Sequence, residues 1–232
     1  MNLSSFLLFF IWVFILITLS FLIDKIWSRI IGKKYQFFIL VGVIVHELSH
    51  ALVCLLTGAK IYSMNFIAKE GGYVKHGRSK LHFIGNALIA MAPIFGAFAA
   101  LWGLSYYFGI KLDFSAVNFS GNFLENFKTF FQSAWNLLSQ GFGRWQFWFF
   151  LYLIISITAA LAPSKQDFKN AIWGLLLLFA IGLIILYFYE SSNFLNILIG
   201  KYLSRVVVLG IFMEIISLVV GLPFYFLRKF SR

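Results

Sequence analysis

The sequence predicts an all-α polytopic membrane protein. Six transmembrane helices are expected, with a small β-hairpin after the second and an interfacial amphipathic helix between the third and fourth. Three observations predict this. Of the 232 residues, 61% are hydrophobic and only 12% charged, whereas a soluble domain is nearer half apolar and a quarter charged. The apolar residues fall into runs close to the roughly 20 residues that a helix needs to cross a bilayer. The basic residues, which give a net charge of +11, sit in the short segments between those runs. There they act as orientation signals and as contacts to anionic lipid. Nucleic acid is therefore not expected as a partner.

The first run is Leu3–Ile23. It is too long for the apolar part of a signal peptide and lacks a basic start and a small-residue cleavage site, so it reads as a span. The second is Phe37–Leu56. The third, Leu81–Phe108, is rich in Gly and Ala. The fourth, Phe147–Ala162, is short and ends at Pro163. The fifth is Ala171–Tyr189 and the sixth Leu203–Leu227. No internal repeat or flexible linker divides them, so residues 1–232 form one integral membrane domain. Six alternating spans put both termini on one side. The hairpin loop and the C-terminal tail, both basic, assign that side to the cytoplasm.

The connections have their own patterns. "AKIYSMNFIAKEGGYVKHG" alternates around Gly71-Gly72 and reads as a hairpin over Ile61–Val74. "NFLENFKTFFQSAWNLL" puts Phe123, Leu124, Phe127, Phe130, Phe131, Ala134, Trp135 and Leu138 on one helical face. Glu125, Lys128, Gln132 and Asn136 lie elsewhere, the pattern of a helix lying in the interface. Phe194–Tyr202 reads as a shorter helix of the same kind.

The chemistry is concentrated in "VIVHELSHALV", which starts at Val43. His46 and His50 are four residues apart, so on a helix both imidazoles reach one metal ion. Glu47 lies beside them. Zinc lowers the pKa of water it holds to about 7, and a carboxylate there takes the water's proton and passes it to the leaving amine. A polar patch joining helices is the bland reading. Three ionisable groups in mid-span are costly, however, and usually functional. The lone Cys54 forms no internal disulfide, and a thiolate zinc site is excluded by count.

Two His leave zinc one protein ligand short. The candidates are Asp167, Glu214, Glu70, His76 and His82. Asp167 follows the fourth span and emerges on the hairpin side, toward which His46 and His50 also lie. It has a competing reading: Ser164 as an N-cap, with Asp167 in the first turn of a helix. Glu214, in the middle of the sixth span, remains open as the alternative.

"HELSHALVCLLTGAKI", the "GGYV" of the hairpin and "MAPIFGAF" in the third span resemble the site-2 protease family of intramembrane zinc metalloproteases. The resemblance covers about residues 37–175, a catalytic core of three helices, with 1–36 and 176–232 as peripheral spans. It implies one Zn2+ per chain on His46, His50 and Asp167, with Glu47 catalytic. The hairpin, with Gly71, Gly72 and Tyr73, is suited to bind an unwound substrate strand along its edge, and Asn86 or Asn170 stands as the candidate for the asparagine with which family members hold substrate. Here Pro163 precedes Asp167 without the family's usual Leu-Asp-Gly, an arrangement closer to divergent members. The implied function is hydrolysis of peptide bonds in or near transmembrane segments of membrane proteins or peptides. The alternative is a non-catalytic metal-binding membrane scaffold or transporter. Oligomerisation is compatible with either.

Overall fold

A computed structural model describes residues 3–67, 71–110, 123–188 and 203–230, with positions 195, 197 and 199. The fold is mostly helical. Helix α1 (Leu3–Ile31) leads through a 3₁₀ turn (Gly32–Lys34) and a single turn, α2 (Tyr35–Phe38), into α3 (Leu40–Leu56). Strands β1 (Ile61–Asn65) and β2 (Tyr73–His76) follow, then α4 (His82–Tyr107), α5 (Phe123–Gly141), α6 (Trp145–Ala159), α7 (Lys165–Phe188) and α8 (Ser204–Phe230). Four segments are long and apolar enough to cross a membrane: Phe6–Phe38, Ile84–Tyr107, Gln166–Phe188 and Val206–Phe230. Two apolar helices are shorter, α3 with 17 residues and α6 with 15. The expected short helix at Phe194–Tyr202 lies mostly outside the described residues.

Both ends of α3 have local causes. At Ile39 the helix is broken, and α6 supplies the missing bonds. Tyr152 Oη donates to the Phe38 carbonyl at 3.0 Å, and Gly42 N–H donates to Ser156 Oγ at 3.1 Å. At the other end Gly58 has φ +68°, and Ala59 N–H reaches back to the Cys54 carbonyl at 2.8 Å. That is a Schellman cap, in which a left-handed glycine closes the helix. Helix α6 stops shortly before Pro163, whose ring disfavours helical backbone in the residue ahead of it.

The strands pair antiparallel, with Asn65 opposite Tyr73 and Met64 opposite Val74. Pairing stops there, so Gly71-Gly72 sits at the β2 end of a longer connection rather than in a two-residue turn. Gly71 takes φ +103°, a conformation open to glycine at no steric cost. The second strand also extends past Val74 to His76.

Helix packing depends on missing side chains. A Cβ on Gly42 would overlap the Ser156 carbonyl of α6, one on Gly96 would overlap Ser49 of α3, and one on Gly174 would overlap Ala87 of α4. Small residues let apolar helices approach closely where no hydrophobic force joins them.

Helix directions follow from named contacts. Trp27 stacks on Phe38 and Tyr35 Oη bonds Asp24, so the chain turns back and α3 runs antiparallel to α1. Helix α6 runs with α3, since Tyr152 meets Phe38 while Gly42 abuts Ser156 and Ala160. Helix α7 also runs antiparallel to α1: Phe168 meets Phe21, whereas Phe179 and Gly182 meet Phe6. Hence α7 continues in the direction of α6 beyond the break at residues 160–164. Helix α8 runs parallel to α1, with Gly210 at Leu16, Ser217 at Trp27 and Tyr225 at Arg29.

Candidate metal centre

Helical spacing puts His46 and His50 on one face of α3, and their Nε2 atoms lie 3.2 Å apart. The first turn of α7 brings Asp167 Oδ2 to 3.6 Å from His50 Nε2. One ligand atom from each of the three residues lies within 4.8 Å of the others. His50 is buried, while His46 and Asp167 are partly so. Among the described residues this is the one group of three or more His, Cys, Asp or Glu able to share an ion.

The donor set fits zinc. With zinc–nitrogen bonds of about 2.0–2.1 Å, two ligands at a tetrahedral angle lie about 3.3 Å apart. The His50 tautomer is also set correctly. Its Nδ1 is 2.8 Å from the carbonyl of Ile89 in α4. A carbonyl only accepts, so Nδ1 carries the hydrogen and Nε2 presents its lone pair to the site. His46 Nδ1, by contrast, is buried and, among the described residues, makes no hydrogen bond. Three protein ligands would leave one coordination position of a zinc ion open, as in catalytic rather than structural sites.

The cap geometry and the approach to the two histidines occur together at Asp167. Ser164 Oγ accepts the Asp167 N–H at 3.1 Å, as an N-cap does, and donates to Asp167 Oδ2. The capping serine therefore also orients the carboxylate.

Beside the three residues lies a cavity of about 740 Å³. Glu47 lines it, buried where α3 meets the hairpin, with its carboxylate close to the Val74 backbone. Gly71, Gly72 and Tyr73 line it as well. At Gly72 the backbone passes so close that an added Cβ would lie 2.8 Å from Glu47 Cγ and 2.5 Å from Val43 Cγ1. Asn86 reaches the same wall, but its Oδ1 accepts the Ser79 N–H at 3.2 Å and so also holds the start of α4.

Of the other candidate ligands, His76, His82 and Glu214 are not part of the group. His76 lines the cavity with Nδ1 against the Gly77 carbonyl, and His82 opens α4 with φ +48°. Glu70 falls outside the described residues. Glu214, on α8, is wholly enclosed, and among the described residues neither carboxylate oxygen has a partner. Sequence reasoning missed the contribution of the first span: Phe21 and Asp24 of α1, with Gln36 of the following turn, form part of the cavity wall. Asp24, an acid one residue past the end of that apolar run, was the available signal.

A His-Glu-x-x-His helix, a carboxylate from a second helix and a strand edge, all set among apolar helices, define a membrane-embedded metallopeptidase-type site. The family model described as Peptidase M50B-like matches residues 11–193, and the chain belongs to that family. The family implies a metalloprotease, and its apolar helices make the chain an integral membrane protein. Neither a curated protein nor a solved structure matches the chain significantly.

Proposed function

We propose that this protein is an intramembrane zinc metalloprotease that hydrolyses peptide bonds in or near transmembrane segments of other proteins. The observation that carries the reading is the meeting of His46, His50 and Asp167 at the wall of a cavity that Glu47 also lines. Zinc, when bound, supplies Lewis-acid chemistry: it polarises a carbonyl and acidifies water. His46, His50 and Asp167 hold it. The Glu47 carboxylate takes a proton from the attacking water and returns it to the leaving nitrogen. A helical substrate keeps its carbonyls in internal hydrogen bonds, so the segment to be cut must first unwind. Strand β2, with Gly71, Gly72 and Tyr73 at its start, pairs with the unwound segment along its edge. Asn86 contacts the substrate from α4.

The helix directions support five passages through the membrane rather than six. Helices α6 and α7 form one passage interrupted at residues 160–164, and Asp167 stands just past the break. Leu3 and Phe230 then lie on opposite faces. The end at which α1 and α8 finish carries Lys25, Arg29, Lys33, Lys34, Arg228 and Lys229, which assigns it to the cytoplasm. On this reading the C-terminus is cytoplasmic, whereas the N-terminus and the basic hairpin, with Lys60, Lys75, Arg78 and Lys80, both lie at the other face, unlike the six-span expectation.

The test uses purified protein in lipid and a membrane-embedded reporter. Glu47→Gln is expected to retain one zinc per chain and to lose cleavage by at least about 100-fold, the low end of what a general base contributes. Cleavage at the wild-type rate would overturn the mechanism. Zinc binding without cleavage in the wild-type chain would favour a scaffold.

A further inference from the structure

Helix α4 contains Pro93. In an α-helix each carbonyl accepts from the N–H four residues on. For Ile89 that residue is Pro93, which has no N–H. The Ile89 carbonyl is therefore left without its helical donor. Ile89 is 1% exposed, and an unpaired carbonyl is strongly disfavoured in a dry apolar setting. The vacancy is filled from outside the helix: His50 Nδ1 lies 2.8 Å from this oxygen. One proline thus releases the one acceptor that fixes which ring nitrogen of His50 carries the hydrogen.

We infer that Pro93 is a positioning residue for the metal site, acting through the Ile89 carbonyl to hold His50 in the tautomer that presents Nε2 to the ion. The inference rests on His50 as a metal ligand. A proline whose only task was to bend α4 would act through its ring. A proline that frees a carbonyl acts through its missing N–H. The two roles separate chemically.

The experiment compares three full-length proteins in lipid: wild type, Pro93→Ala, and a variant with the α-hydroxy analogue of alanine at position 93. The analogue replaces the amide by an ester, so it lacks both the ring and the N–H. Two readouts are taken: zinc affinity by competition with a chelator, and the ¹⁵N imidazole signals of His50 in the metal-free protein. Pro93→Ala restores a competing N–H, and zinc affinity is expected to fall about 10–100-fold, the range for loss of a ligand's orienting partner. Its metal-free His50 loses the pure Nδ1–H signature. The ester variant is expected to keep wild-type affinity and tautomer.

Wild-type affinity and tautomer in Pro93→Ala would overturn the inference. So would a folded ester variant with weakened affinity or an altered tautomer, and this second arm decides the matter even if Pro93→Ala does not fold. If the wild-type chain binds no zinc, the proposed function fails, while the metal-free tautomer still tests the link from Pro93 to His50.

Discussion

Replacing Gly72 by alanine tests how the hairpin and the proposed general base fit together. The added methyl carbon would stand 2.5 Å from Val43 Cγ1 and 2.8 Å from Glu47 Cγ. Carbon atoms pack at about 3.5–4.0 Å, so about 1 Å must be absorbed by moving β2, Glu47 or both. Overpacking of this kind costs about 1–3 kcal/mol of stability. The catalytic cost is larger than that of an ordinary surface change. A displacement of about 1 Å at a reacting group lowers the rate about 100-fold, or about 2.7 kcal/mol in the barrier. Single-turnover cleavage of a membrane-embedded reporter measures that loss. Zinc per chain should not change, since the three atoms nearest the new methyl group belong to Val43 and Glu47. Gly103→Ala serves as control, because a Cβ there meets nothing within 4 Å. If Gly72→Ala cleaves as fast as wild type, Glu47 does not depend on the hairpin backbone, and the assignment of β2 to the site is wrong.

Two further outcomes are expected. Glu214→Leu removes a carboxyl whose buried oxygens have no partner among the described residues, each such group costing about 1–3 kcal/mol. Thermal unfolding should shift upward with zinc content unchanged, whereas loss of zinc would make Glu214 the third ligand. Ser164→Ala removes the cap of α7, worth about 1 kcal/mol, and the hydroxyl that orients Asp167. Isothermal titration should show zinc affinity lowered about 10–100-fold, and an unchanged affinity would reduce Ser164 to a cap.

The parts of the site that were legible in sequence are those set by local geometry. A spacing of four puts His46 and His50 on one face wherever they occur in a helix. Alternation around Gly71-Gly72 marked strands, although the pairing register moved those glycines off the turn. Asp167 was legible only as two competing roles, because Ser164-x-x-Asp167 has the form of a cap whether or not the carboxylate also faces a ligand set. Direction was not legible. Hydropathy locates apolar runs but carries no sign, and Pro163 ends α6 without saying whether the chain then reverses or continues. The support for α3 was hidden for a different reason: Gly42 and Ser156 are 114 residues apart, and neither is unusual until the two helices touch.

The length of α3 gives the membrane itself a part in the site. Seventeen residues at 1.5 Å each give about 25 Å, against a hydrocarbon layer of about 30 Å. Leu48, Leu52, Leu55 and Leu56 on this helix are exposed, so lipid tails are their natural neighbours. A helix too short for its surroundings draws the two leaflets together, at fractions of a kcal/mol per ångström of mismatch. The deficit falls on the helix that carries His46, Glu47 and His50. Bilayers with longer acyl chains must deform more around that helix than thinner ones, so the fatty-acid composition of the host membrane becomes a physical variable of the site.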